Sequence, residues 1–151
     1  MDNFRPIILG KYHHHSFTIF LDSGSPKNIV SDQTYDRYFN SIPLTFHSLP
    51  PLSGIGGQSL NLRGRFTLPL EINGQIIYEE FMVMENISLA GQLLMGFPAM
   101  LRNKMVIDTI KDGVFMNTHF QKFHRTTSLN NSSDQEYHIN LESEVRNSHR
   151  K

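Results

Sequence analysis

The sequence predicts an all-β fold, either a barrel or a sandwich. Up to about residue 116 the chain is a series of short apolar runs of strand length, separated by the glycine, proline and asparagine residues that are typical of turns. Helical patterns are confined to residues 31–39 and 97–104, which are too short to build an α/β fold. Strand-length runs at this spacing, with so little helix, are typical of barrels and sandwiches.

The predicted strands can be placed in order along the chain. They cover residues 6–9, 17–21, 29–31, 64–72, 76–84, 93–96 and 105–108. The strongest local signal is the Asn73-Gly74 pair between two alternating segments, which predicts a hairpin with a type I′ turn. In the two helical segments, Ser31 or Asp32 is the expected N-cap, and Pro98 suits a first helical turn.

Composition narrows the possible classes of function. The chain of 151 residues has 14 Lys and Arg against 14 Asp and Glu, so no strong electrostatic field favours nucleic acid or a membrane surface. It has no cysteine, which excludes disulfides and Cys-based zinc sites. No apolar run approaches the ~20 residues that span a bilayer, and the N-terminus lacks a signal-peptide layout. We therefore expect a cytoplasmic, non-secreted protein without nucleic-acid or membrane partners.

The composition changes near residue 118. Residues 119–151 are polar, with few well-spaced apolar side chains and an Asn/Ser cluster at their centre. A segment of this kind buries too little apolar surface to offset the entropy lost on ordering the chain. We therefore expect one folded domain over residues 1–118 and a disordered polar tail or linker over residues 119–151.

The candidate for chemistry is the turn that follows the second predicted strand. This apolar strand runs directly into Asp22, Ser23 and Gly24. Gly24 permits a tight turn, and the Ser23 hydroxyl can hold that turn by hydrogen bonding. An acid on a rigid turn is a positioned general acid or base, and two such acids close together divide the roles, because one stays protonated while the other ionises. The alternative interpretation is that Asp22 is an ordinary turn residue.

The order and spacing of the motifs resemble those of the retropepsins, the aspartic proteases of retroviruses and LTR retrotransposons. That family has an apolar strand, Asp-Thr/Ser-Gly-Ala/Ser, a second strand, a glycine-rich flap, and two apolar residues with glycine before a short helix. The matching residues are Asp22-Ser23-Gly24-Ser25, Ile29-Val30-Ser31, Ile55-Gly56-Gly57 and Leu94-Met95-Gly96. The resemblance covers roughly residues 4–116, and residues 54–84 look especially like proteases of gypsy or Pao retrotransposons.

The resemblance implies a fold and a role for each motif. The fold is a closed β-barrel monomer with a flap hairpin and one short C-terminal helix, active as a symmetric homodimer. The catalytic residues are Asp22, Ser23 and Gly24. The substrate-binding residues of the loop and flap are Ser25, Ile55, Gly56 and Gly57. The residues that support the active-site loop are Leu94, Met95 and Gly96. No metal or cofactor is implied.

A single Asp-Ser-Gly motif requires two chains. Asp108-Thr109-Ile110 begins like a second such motif, but isoleucine cannot replace the turn glycine. We therefore interpret Asp108 as a structural or surface acid. A paired carboxylate then needs a homodimer with Asp22 from each subunit. The implied activity is an aspartic endopeptidase that cleaves an extended peptide or polyprotein. Its implied substrate is the Gag–Pol polyprotein of a retroelement, in the cytoplasm or within virus-like particles.

One feature qualifies this interpretation. Phe97-Pro98 follow the second motif, where the family often has a polar pair that helps to stabilise the dimer. This departure keeps open an inactive, retroelement-derived dimerisation or peptide-binding module, and a cellular regulatory protease of the same fold is a further alternative.

His13-His14-His15 are interpreted as a solvated turn rather than a metal site, because successive side chains of a strand point apart.

Overall fold

The computed structural model of the chain describes residues 4–46 and 61–125. Within these ranges the strands are β1 Ile7–Tyr12, β2 His15–Asp22, β3 Ile29–Ser31, β4 Asn61–Ile72, β5 Gln75–Glu85, β6 Leu93–Gly96, β7 Met105–Asp108, β8 Gly113–Met116 and β9 His119–Lys122. The helical elements are α1 Asp32–Thr34, a π-helical turn over Tyr35–Phe39, and α2 Phe97–Arg102. No helix in the described ranges is long and apolar enough to cross a membrane.

Six of the strands form a closed barrel in the order β1-β2-β6-β3-β5-β4. The all-β prediction is therefore confirmed, as a barrel rather than a sandwich. Strand β6 lies parallel to β2 and antiparallel to β3, and β1 meets β4 at the pair Lys11↔Glu71. The inward-facing apolar side chains fill the main core, among them Ile8, Phe17, Ile19, Leu21, Val30, Leu68, Leu70, Phe81, Val83, Leu93 and Met95.

The longest antiparallel pair is the β4–β5 hairpin, whose turn follows the prediction from sequence. Ile72 pairs with Gln75 across the turn. The two central residues, Asn73 and Gly74, have φ of 52° and 78°. A type I′ turn requires positive φ at both positions, and asparagine and glycine adopt it more readily than other residues. The predicted hairpin is confirmed.

Both predicted helical segments are present, and both are short. Ser31 is the N-cap of α1, since its hydroxyl oxygen accepts a hydrogen bond from the Thr34 N–H at 3.2 Å. The following π-helical turn buries Tyr35 and Phe39 in the core. Pro98 lies in the first turn of α2, where its missing N–H has no helical partner to lose. The helices therefore cover the barrel without forming a layer of their own.

The turn between β1 and β2 carries the histidine run. His13 and His14 have φ of 49° and 69°, and Tyr12 pairs with His15 across them. All three histidines are exposed. In the described ranges, no group of three or more His, Asp or Glu side chains is arranged to hold a metal ion. The run is therefore a surface hairpin turn.

A second sheet, in the order β7-β8-β9, packs beside the barrel and corrects the predicted domain boundary. Strand β9 lies in the segment predicted to be a disordered tail. Its Gln121 side chain accepts the Leu9 N–H at 2.5 Å, donates to the Leu9 carbonyl at 3.1 Å and donates to Asn73 Oδ1 at 2.8 Å. Phe123 is buried in the main core. The folded part extends at least to Arg125. The Gln121 amide and the Phe123 ring hold this polar segment against the rest of the fold. Residues 126–151 of the predicted tail lie outside the described residues.

Candidate active site

Asp22 is the last residue of β2, and Gly96 is the last residue of β6. The two strands run parallel with Phe20 opposite Leu94, Leu21 opposite Met95, and Asp22 opposite Gly96. The structure thus places the two predicted motifs, which are far apart in sequence, side by side at one end of the barrel. Leu94 and Met95 are buried, and they lie beside the two residues of β2 that precede Asp22.

The turn after Asp22 is held by its own polar groups. The Gly24 N–H donates to Asp22 Oδ1 at 2.9 Å, and the Ser25 N–H donates to the Asp22 carbonyl at 3.1 Å. The Ser25 hydroxyl donates to the Lys27 carbonyl at 2.7 Å. Within the described ranges the Ser23 hydroxyl makes no hydrogen bond, so the expectation that it holds the turn is wrong for the single chain. The Asp22 carboxylate and the Ser25 hydroxyl hold the turn instead.

The turn folds back closely over Gly96. A Cβ at Gly96 would lie 2.6 Å from the Ser25 carbonyl oxygen and 2.7 Å from that of Lys27, both backbone atoms. The Phe97 N–H donates to the Ser25 carbonyl at 2.9 Å. Glycine is therefore required here by space, since the φ of −86° is open to any residue. The second motif contributes a backbone surface against which the Asp22 turn rests.

Asn28, which sequence reasoning missed, joins the turn to two strands. Its side chain is buried, with Nδ2 donating to the Glu80 carbonyl at 2.9 Å and Oδ1 accepting the Gly96 N–H at 2.8 Å. Its own carbonyl accepts the Met82 N–H at 2.9 Å. A signal was available, because the two-residue alternation of a strand places Asn28 on the same buried face as Val30.

Asn28→Ala is expected to lower the free energy of unfolding by about 2 kcal/mol, because the Glu80 carbonyl and the Gly96 N–H lose their partners. Chemical denaturation followed by circular dichroism measures the change. The matched control is Asn40→Ala, an exposed asparagine, which is expected to stay within about 0.5 kcal/mol of the unchanged protein. Equal effects of the two substitutions would contradict the bridging role of Asn28.

An ion pair between a buried carboxylate and an exposed guanidinium holds the helix that follows Gly96. Glu79 of β5 is buried and accepts three hydrogen bonds from Arg102, the shortest from Nη2 to Oε1 at 2.6 Å. It also accepts the Asn103 side-chain N–H at 2.8 Å. The hydrogen bond to Glu79 raises the pKa of the Arg102 guanidinium above its ordinary value. The sequence signal for Glu79 was its place in the alternation, since Ile77 and Phe81 on the same face are buried.

An open cleft lies between the Asp22 turn and this helix. Its volume is about 460 Å³, and it is bordered by Pro26 and Lys27 on the turn side and by Pro98 and Arg102 on the helix side. Asp22 itself is half-buried in the single chain, and Ser23 and Gly24 are exposed. The acid is thus held by a rigid turn while its neighbours face solvent. The predicted flap residues Ile55, Gly56 and Gly57 lie outside the described residues.

The other acid considered from sequence, Asp108, has a local structural role. Its Oδ1 accepts the N–H groups of Ile110 and Lys111, both at 2.9 Å, in the turn between β7 and β8. A carboxylate that accepts the backbone N–H groups two and three residues later stabilises the turn in which it lies. This agrees with the interpretation of Asp108 as a structural acid.

Comparison with known proteins supports the fold assignment. A search of protein-family models and a search of curated protein sequences give no match. Among solved structures, the retroviral protease-like domain of Ddi1 from Leishmania major has a TM-score of 0.64 at 18% identity, covering 80% of this chain and 91% of that one. The EIAV protease complexed with the inhibitor HBY-793 has a TM-score of 0.52 at 15% identity, covering 65% of this chain and 86% of that one.

A retropepsin-like aspartic protease from Rickettsia conorii is also similar, with a TM-score of 0.47 at 15% identity, covering 72% of this chain and 83% of that one. At these identities the likeness to the Ddi1 domain and the EIAV protease concerns the fold. The six-stranded closed barrel, the few short helices and the pairing of Asp22 with Gly96 together give this chain the retropepsin-like fold.

Proposed function

We propose that the chain is an aspartic endopeptidase that acts as a homodimer. The observation that carries the proposal is the position of Asp22, at the end of β2 and opposite Gly96, in a barrel of retropepsin-like fold. The turn is rigid, because the Gly24 N–H binds the carboxylate and the Phe97 N–H binds the Ser25 carbonyl. A rigid, partly exposed acid with no structural task beyond its own turn is suited to proton transfer.

The second carboxylate comes from a second copy of the chain. The sequence has one Asp-Ser-Gly motif, and Asp108 is occupied in a turn. A two-fold axis beside the turn brings Asp22 of each copy together, and such an isologous contact is the commonest form of homodimer. Two carboxylates in contact cannot both be ionised, so the pair retains one proton.

Every proton is accounted for in the proposed hydrolysis, and the reaction forms no covalent bond between enzyme and substrate. The ionised Asp22 takes a proton from a water molecule as the water oxygen bonds to the peptide carbonyl carbon. The protonated Asp22 of the second copy gives its proton to the carbonyl oxygen. When the C–N bond breaks, the proton held by the first carboxyl passes to the leaving amine, and the diol returns one proton to the pair. General acid and base steps of this kind each contribute about 10²- to 10⁴-fold to the rate.

The proposed substrate is an extended peptide. A strand-like peptide can be held by main-chain hydrogen bonds, and closure of the flap over it would exclude water. Apolar pocket walls, which the resemblance to retropepsins implies, would favour cleavage between hydrophobic residues. We assign the substrate to the Gag–Pol type of polyprotein, in the cytoplasm or within virus-like particles, on the resemblance of residues 54–84 to retrotransposon proteases.

A cellular regulatory protease of the same fold is the second candidate. The observation that favours it is the TM-score of 0.64 with the Ddi1 domain from Leishmania major, of which this chain covers 91%. The two candidates share the reaction and differ in the protein that is cleaved. An inactive dimerisation or peptide-binding module, favoured by Phe97-Pro98, would keep the fold and lack the reaction.

The test is cleavage of a peptide library by the purified chain from pH ~4 to ~7, with and without pepstatin. We expect pepstatin-sensitive cleavage whose rate rises more steeply than linearly with protein concentration while the dimer is partly dissociated. Absence of cleavage at a concentration where sedimentation shows a dimer would support the inactive module. A rate strictly proportional to concentration at every dilution would contradict a site shared between two weakly associated chains.

A further inference from the structure

Strand β7 is an open edge of the second sheet. Within the described residues it pairs with β8 on one side and with no strand on the other. Its two central side chains point to opposite faces of the sheet and both are exposed, Val106 by 58% and Ile107 by 39%. An edge strand of this kind presents unpaired backbone N–H and C=O groups to any further strand. We call the unpaired side of Met105–Asp108 the β7 edge.

The β7 edge has an apolar neighbourhood on both faces of the sheet. Val106 lies opposite Phe115, and Phe115 lies opposite Phe120, so these three side chains form a row on one face. The two phenylalanine rings have their centroids 4.9 Å apart, and no member of the row belongs to a buried core cluster. On the other face, Ile107 lies opposite Val114, which is fully buried. A further strand at the β7 edge therefore finds an apolar neighbour on either face.

A segment with the pattern of a strand occurs later in the sequence, outside the described residues. Tyr137, Ile139 and Leu141 alternate with the polar residues His138 and Asn140. Alternation with a period of two places the three apolar side chains on one face of an extended chain, and it is the signal of a half-buried strand. The sheet would supply the apolar surface that this pattern requires.

We propose that residues 137–141 bind the β7 edge of their own chain as a fourth strand of the second sheet. The described part of the chain ends at Arg125, just after β9, and residues 126–136 connect it to the segment. Such a connection reaches about 36 Å when extended. A strand beyond β7 lies three strand spacings from β9, about 14 Å. The tether also keeps the segment at an effective concentration on the order of mM, which favours binding of a short strand.

The charges on the two sides are complementary. Lys104 directly precedes β7 and Lys111 lies in the turn after it, and both are exposed. Neither lysine forms an ion pair within the described residues, and the Lys111 ammonium lies 5.4 Å from the centroid of the Phe115 ring, beside the apolar row. The alternating segment is likewise flanked by Glu136 and Glu142. Lysines at both ends of the β7 edge therefore meet carboxylates at both ends of the segment, whichever direction the added strand takes.

Hydrogen exchange followed by mass spectrometry tests the proposal on the full chain. Ile139→Pro removes a backbone N–H and restricts φ in the middle of the segment, which a paired strand tolerates poorly. Ser132→Pro is the matched control, since it makes the same kind of change in the connection outside the alternating residues. The signal is the exchange rate of those β7 N–H groups that do not bond to β8. We expect it to rise at least tenfold in Ile139→Pro and to stay within twofold in Ser132→Pro.

The outcomes are distinct. Slow exchange at β7 that is lost in Ile139→Pro alone, and that does not depend on protein concentration, supports binding within one chain. Equal exchange in the unchanged protein and in Ile139→Pro would overturn the proposal. So would equal losses in both variants, because the alternating residues would then have no special part. Protection that increases with protein concentration would also overturn it, since another molecule would then supply the strand.

The inference does not depend on the proposed function. None of these measurements involves peptide cleavage, and the same exchange rates are expected in an Asp22→Asn background. Intact mass confirms in each sample that residues 126–151 are still attached. Failure of the fourth strand therefore leaves the endopeptidase untouched, and absence of cleavage leaves the fourth strand untouched.

Discussion

Asp22→Asn is expected to lower kcat/KM for peptide cleavage by about a thousandfold while leaving the fold unchanged. Asparagine keeps an oxygen in the position of Asp22 Oδ1, so it can still accept the Gly24 N–H that lies 2.9 Å away. It cannot take a proton from water or return one to the substrate. In a homodimer both carboxylates are lost together, so no residual pair remains. Steady-state cleavage of a fluorogenic peptide measures the loss of kcat/KM, and thermal unfolding checks that the fold is unchanged.

The matched control is Asp108→Asn. It makes the same chemical change in a carboxylate whose oxygen accepts the Ile110 and Lys111 N–H groups. Asparagine can accept these hydrogen bonds, and we expect activity within about twofold of the unchanged protein and a loss of stability below about 0.5 kcal/mol. Equal losses of activity in the two variants would show that Asp22 has no special role in the reaction.

Gly96→Ala is expected to lower the free energy of unfolding by about 3 kcal/mol, the upper end for over-packing a well-filled site. The added Cβ would lie 2.6 and 2.7 Å from the carbonyl oxygens of Ser25 and Lys27, which are backbone atoms with no rotamer to change. Relief requires the Asp22 turn to move away from β6. Whatever fraction folds should therefore cleave peptide more slowly, because the paired carboxylates lose their spacing. Urea denaturation and kcat/KM measure the two effects.

Gly74→Ala separates crowding from backbone strain. A Cβ at Gly74 would meet no atom within 4 Å, but its φ of 78° is one that alanine adopts at a cost. We expect a loss of about 1 kcal/mol in stability and no change in kcat/KM, because Asn28 joins the Asp22 turn to β5 at Glu80 and Met82, which are several positions beyond Gly74. If Gly96→Ala proved no more costly than Gly74→Ala, the close contact between the Asp22 turn and Gly96 would not be a constraint.

Part of the fold followed from local chemistry in the sequence. Asn73-Gly74 between alternating segments predicted the β4–β5 hairpin, because type I′ geometry selects these residue types. Ser31 and Pro98 were correct helix-start signals for the same kind of reason. The turn at Asp22 was also visible, since a strand-like run ends there in residues that favour turns. In each case neighbouring residues determine the conformation.

The features that depend on distant parts of the chain were not predictable from pattern. The opposition of Asp22 and Gly96 is a matter of strand register, which is determined by the packing of the whole barrel. Asn28 and Glu79 occupy buried positions in the alternation of their strands, but the pattern alone does not name the groups they bind. Strand β9 was missed because its contribution is a side-chain amide rather than an apolar run.

The amide of Gln121 has a consequence for the newly made chain. This amide binds the backbone of Leu9 at the edge of β1, and Leu9 precedes Gln121 by 112 positions in the chain. During synthesis β1 emerges early and Gln121 late, so the edge of β1 stays unoccupied while most of the barrel is being translated. An open strand edge can pair with other chains. A nascent or shortened chain that ends before residue 121 is therefore expected to aggregate more readily than one that continues through Arg125.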